Sequence, residues 1–104
     1  MTIINKTWNE ADIISHFIDE ALGKDASVED AAQWLNEKLT GDFTITRATV
    51  HNWISDKADP GWKYLMAYTV VYPETDLRHQ MAKAIIQKRL AEVAPVVADT
   101  AVTA

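Results

Sequence analysis

Thr44-Ile45-Thr46-Arg47-Ala48-Thr49-Val50-His51-Asn52-Trp53-Ile54-Ser55-Asp56-Lys57-Ala58-Asp59-Pro60 is the stretch on which the reading of this chain turns. Thr46 brings a hydroxyl to a helix start, Val50 and Trp53 fall on one apolar face at helical spacing, and Arg47, Thr49, His51 and Asn52 are left to point elsewhere. The pattern predicts a short helix over 46–55 with a buried side and a polar side, followed by a proline-marked loop.

Outward from it the chain gives four more helices and no convincing strand. Thr7 and Glu10 predict a capping box for a first helix over 7–22, in which Ile13, Ile14, Phe17, Ile18, Ala21 and Leu22 recur before Gly23 stops it. Ser27 and Asp30 cap a second over 27–39, with Val28, Ala31, Ala32, Leu35 and Leu39 as its buried stripe and Thr40-Gly41 near its end. Asp59-Pro60 supplies an N-cap and a first-turn proline for a fourth over 60–72, which Tyr72-Pro73 ends. Thr75 or Asp76 restarts the chain, and a fifth helix is expected over 76–93. The Ala-, Val- and Thr-rich tail over 94–104 has no pattern and reads as disordered. The expected fold class is therefore all-α, a compact five-helix domain over 1–93.

The 104 residues fit one domain with a modest core, and their 48% hydrophobic and 24% charged content is that of a folded chain. With no cysteine, neither disulfides nor thiolate metal sites arise. No apolar run spans a membrane and Met1 to Lys6 lacks the form of a signal peptide, so the expected location is cytoplasmic. The net charge of −5 is uneven: Glu10, Asp12, Asp19, Glu20, Asp25, Glu29 and Asp30 face only Lys6 and Lys24 in the first 30 residues, and the remainder is neutral. A nucleic-acid partner is thus compatible with the second part of the chain, where only the local field has to be favourable.

The order Ile45, Thr46, three residues, Val50, two residues, Trp53 resembles the second helix of the lambda-repressor-like (Cro and XRE type) helix-turn-helix. The resemblance covers roughly residues 27–72. The family's usual exit is an acid, any residue, Gly, a base and later Pro; this chain has Ile54, Ser55, Asp56, Lys57 and Pro60, with Asp56 able to take the left-handed conformation that Gly normally supplies. Its turn is longer than usual, running Thr40-Gly41-Asp42-Phe43-Thr44 between Leu39 and Ile45, with Phe43 as a candidate anchor. The resemblance implies a transcriptional regulator, repressor or activator, that reads double-stranded DNA. The small size and lone reading domain are similar to the lysogeny regulators of phages and prophages.

What the resemblance implies for individual residues follows from groove chemistry. Arg47 would reach guanine O6 and N7, Asn52 adenine N6 and N7, and Ala48 or Thr49 a thymine methyl, with His51 a further polar reader. Thr46, Ser55 and Lys57 suit phosphates. Val50 and Trp53 are first of all core, and Arg47 alone would be an ordinary solvated side chain; the whole string from Ile45 to Pro60 carries the reading. The competing expectation, drawn from the acidic first helix and the altered turn, is a helical adaptor that binds another regulator or a polymerase subunit through Trp34, which falls off its helix's buried stripe. The other aromatic residues, Trp53, Trp62, Tyr64, Tyr68 and Tyr72, read mainly as core.

No catalytic constellation or cofactor motif is present, so the chain does not read as an enzyme. His16 with Asp19 and Glu20 at helical spacing reads as a solvated ion pair rather than a metal site. In the fifth helix Leu77, Met81, Ala84 and Ile85 line one face, while Ile86, Leu90 and Val93 form a second stripe. That second stripe is the expected seam of a homodimer, which would bind a pseudo-palindromic site.

Overall fold

Side chains a few residues away set the starts of the first two helices. Asn9 and Asp12 close a reciprocal box, Asn9 Oδ1 accepting from the Asp12 N–H at 2.9 Å while the Asn9 N–H donates to Asp12 Oδ2 at 3.0 Å, and α1 runs Glu10–Leu22 behind it. Gly23 stops α1 at a φ of 88°, a conformation that side chains disfavour. Ser27 and Asp30 form the same box for α2, Val28–Asn36. Then come α3, Arg47–Ile54, α4, Trp62–Val71, and α5, Leu77–Thr103. The computed structural model describes the backbone of residues 7–39 and 44–103 and the side chains of 7–39 and 44–93, with no strand among the described residues.

The core draws on every helix: Ile13, Ile14 and Phe17 from α1, Leu35 from α2, Val50 and Trp53 from α3, Leu65 and Tyr68 from α4, Met81 and Ile85 from α5. Truncating such a side chain, Leu65→Ala for instance, removes burial and leaves a cavity, at a cost of about 2–5 kcal/mol. α4 packs mainly on α5, while α3 is wedged between α1 and α2.

Several boundaries differ from the sequence expectation, and long-range partners explain two of them. α1 starts at Asn9 and Asp12 rather than Thr7 and Glu10, because Glu10 lies against Arg89, whose Nε and Nη2 donate to it at 2.9 and 2.5 Å. α4 starts behind Gly61 rather than at Pro60, whose carbonyl accepts from Arg89 Nη2 at 2.7 Å. α2 ends at Asn36, short of Leu39: Glu37 leaves the helix and Lys38 takes a φ of 71°, so Leu39 enters the core from the connection. Thr40, Gly41 and Phe43, expected to end the second helix and anchor its loop, lie outside the described residues. α5 continues as helical backbone to Thr103, past the expected end at Val93 and through the tail read as disordered; Ala91, Ala94, Ala98 and Ala101 are the strong helix formers there.

Two arginines tie these helices together. Arg78, only 5% exposed, forms a bidentate pair with Asp76 at 2.9 and 2.7 Å, donates to the Trp34 carbonyl at 2.7 Å and lies 3.8 Å from the centre of the Tyr72 ring. A buried guanidinium is tolerable only with its donors satisfied in this way. The hydrogen bonds from Arg78 hold the Asp76 carboxyl below its ordinary value against the opposing effect of burial. Burial pushes the Tyr72 phenol up even though Arg78 pulls it down. Arg89 joins the starts of α1 and α4 and lies 4.9 Å from the centre of the Trp62 ring, which stays half exposed rather than entering the core.

Candidate functional site

Directional hydrogen bonds hold α3 at both ends. Ahead of it, Asn36 grips the backbone of Ile45: its Oδ1 accepts from the Ile45 N–H at 2.7 Å and its Nδ2 donates to the Ile45 carbonyl. This pairing closes the long connection and seats Ile45 in the core one residue before the cap. Thr46 Oγ1 then accepts from the Thr49 N–H at 3.2 Å and shares a 3.1 Å hydrogen bond with Thr49 Oγ1. Behind the helix, the Asn52 carbonyl accepts from the N–H groups of Lys57 and Ala58 at 2.9 and 3.2 Å. Asp56 takes the left-handed φ of 61° that the turn requires, and its carboxylate accepts from Asn9 Nδ2 at 3.3 Å, linking the exit to α1.

With Val50 and Trp53 buried, the opposite side of α3 faces solvent. Thr46, Arg47, Ala48, His51 and Asn52 together line an open depression of about 550 Å³, and none of them is acidic. Arg47, Ala48 and His51 are exposed and Asn52 is half buried. Arg47 and His51 sit one turn apart, where side chains lie about 5–6 Å from each other at their Cβ atoms. The face therefore offers a guanidinium, an imidazole, an amide and a methyl in one place, a set that matches donors and acceptors on base edges.

The remaining sequence candidates are placed otherwise. Thr49 is turned toward the Thr46 cap and lies outside the depression. Ser55 Oγ donates at 2.6 Å to the His51 carbonyl, so its proton is committed within the helix rather than to a phosphate. Lys57 is exposed at the opposite end of α3 from Arg47. Ile54 packs against the core, the extra apolar contact at the position where the family pattern has an acid. Ile86 likewise packs against the core, which leaves Leu90 and Val93 as the exposed part of the expected seam.

Trp34 is half buried, its carbonyl held by Arg78, and it lines a shallow groove of about 690 Å³ with Leu22, Asp25, Asp30 and Glu37. His16 lies between Trp8 and Phe17, with ring centroids at 5.2 and 5.4 Å, and its Nε2 is 3.4 Å from Glu20. The Asn36 clamp on Ile45, the Asn9 link to Asp56 and the reach of Arg78 to Trp34 escaped sequence reasoning because these partners are distant in the chain; the local cues were the Asn9 and Asp12 spacing and a polar Asn36 directly after the apolar Leu35 at the end of a helix. Comparison with known proteins gives no matching family model, no similar curated protein and no similar solved structure. No described helix is long and apolar enough to cross a membrane.

Proposed function

We propose that this chain is a sequence-specific double-stranded DNA-binding transcriptional regulator of the phage or prophage type, with α3 as the reading helix of a repressor-like helix-turn-helix. The observation that carries the reading is the acid-free outer face of α3, where Arg47, Ala48, His51 and Asn52 converge beside the helix N-terminus. An eight-residue helix is about 12 Å long, comparable to the width of the major groove. Arg47 reads guanine, Asn52 adenine, His51 and Ala48 their neighbours, while the N-terminal N–H groups of α3 and Lys57 meet phosphates. Thr49 and Ser55 support the helix and do not contact DNA. None of the acids of residues 1–30 lines this face. A salt series on random-sequence duplex tests the reading: affinity falls with rising salt at a slope set by a few phosphate contacts, and absence of binding at low salt would contradict it.

A second reading has its own observation. The groove containing Trp34 has an apolar floor that includes Leu22 and an acidic rim of Asp25, Asp30 and Glu37, which suits a basic segment of another protein. It would make the chain a helical adaptor, and it gains ground only if duplex binding is absent.

A further inference from the structure

The ten residues of α4, Trp-Lys-Tyr-Leu-Met-Ala-Tyr-Thr-Val-Val, are apolar around nearly the whole helix, and Lys63 is its only charged residue. Such helices are ordinarily enclosed. Here one side is enclosed, through Leu65 and Tyr68, and the other is open: Trp62 is 50% exposed, Met66 52%, Val70 80% and Val71 42%. Trp62, Met66 and Val70 recur at a spacing of four and form a single row. Beside that row, Met66, Ala67, Val70 and Val71 line a depression with the aliphatic stem of Lys63 along it.

We infer that this face of α4 is the surface through which two copies of the chain pair about a two-fold axis. Three observations favour a second copy as its occupant. Interfaces between identical chains are the more apolar class, and this depression presents apolar surface alone. Each chain carries a net charge of −5 and α4 has no acid, so pairing through α4 brings no carboxylate of that helix against its counterpart in two chains that otherwise repel. The area suits a weak dimer: the four open side chains present on the order of 400 Å² per copy, about 800 Å² for the pair, which falls among the small reversible interfaces below about 1,200 Å². An interface of that size belongs to a reversible rather than an obligate dimer. The exposed remainder of the α5 stripe, Leu90 and Val93, is a poorer seam because Lys88, Glu92 and Gln87 crowd it with polar groups.

The inference is independent of DNA reading and is tested without DNA. Sedimentation equilibrium from 1 to several hundred micromolar is run on the full chain, on Val70→Lys, on Met66→Lys and on Leu90→Asp. Val70 is largely solvent-exposed at the C-terminal end of α4, where a cation is compatible with the helix dipole, so Val70→Lys keeps its helical circular dichroism. The expected result is a wild type that dimerises in the micromolar range, dissociation raised at least tenfold in Val70→Lys and Met66→Lys, and little change in Leu90→Asp. A wild type that stays monomeric throughout would overturn the inference, meaning that a different partner or a segment of the same chain takes this face. So would dimerisation that survives Val70→Lys and Met66→Lys, or is lost in Leu90→Asp alone.

Discussion

α3 and α4 are consecutive short helices with opposite outer faces: α3 buries Val50 and Trp53 and turns Arg47, Ala48 and His51 outward, whereas α4 buries Leu65 and Tyr68 and turns Trp62, Met66 and Val70 outward. They are also held differently. α3 is fixed by directional bonds at its ends, from Asn36 and Thr46 before it and through Asp56 after it. α4 has no side-chain cap and relies on packing, with Tyr64 edge-on to Trp53 at 5.5 Å and the two arginines at its ends. The difference teaches that orientation matters more for α3: a polar face meets its partner only when donors and acceptors are aligned, while apolar contact tolerates adjustment.

The largest effect that bears on this comparison comes from the packing side. Arg78→Ala leaves the Asp76 carboxylate with only the backbone N–H of residue 78, takes the guanidinium's hydrogen bond from the Trp34 carbonyl and opens space beside Tyr72, so urea unfolding should show a loss of about 3–5 kcal/mol. Arg78→Lys recovers only part of it, because an ammonium cannot reproduce the bidentate geometry. A loss within experimental error for Arg78→Ala would mean that α5 is held to α2 by apolar packing alone.

On the directional side, Asn36→Ala removes both bonds to Ile45 and should cost about 1–3 kcal/mol. Its more telling consequence concerns presentation of α3. Under conditions where the variant is fully folded, duplex affinity should still fall, whereas Ile85→Val, a core change with a cost of about 0.5–1.5 kcal/mol, should leave affinity unchanged. Equal affinities for the two variants would show that the clamp supplies stability without orienting the helix.

A smaller effect follows from Asp76. Its carboxyl is held below the ordinary value near 3.8 by hydrogen bonds from Arg78, so the folded state binds that proton less readily than the unfolded one. The stabilisation is fully present above the ordinary value and is lost as pH falls through the depressed one. Stability measured from pH 6 downward should therefore decline in the acid range, and Asp76→Asn, less stable at neutral pH, should show a shallower decline.

The sequence was most readable where structure is local. The Thr46 cap, the Ser27 and Asp30 box and the stop at Gly23 all act within a few residues, and the structure has them where the pattern predicts. Asp56 at positive φ was legible for the same reason, since few side chains tolerate that turn. The errors arise where a distant group competes. Thr7 with Glu10 and Asn9 with Asp12 are equally good local boxes, and Arg89, 79 residues from Glu10, takes Glu10 as its partner. Pro60 was misread by the same guanidinium. Within the candidate site, Arg47, Ala48, His51 and Asn52 were readable from helical spacing, but the hydrogen bonds that engage Thr49 with Thr46 and Ser55 with the His51 carbonyl depend on side-chain rotamers that no spacing specifies. The open face of α4 was hidden because an all-apolar helix looks the same in sequence whether its surroundings cover it or not.

The account's central claim, that the outer face of α3 reads base edges, is tested most directly by selecting duplexes from a random pool and measuring the winner with Arg47→Ala and Lys57→Ala. The wild type is expected to enrich a motif. Arg47→Ala should weaken that site by about 1–3 kcal/mol and relax one base position, while Lys57→Ala should weaken all sequences alike and lower the salt slope by about one. A pool that yields no motif, or a motif bound equally well by both variants, would contradict it.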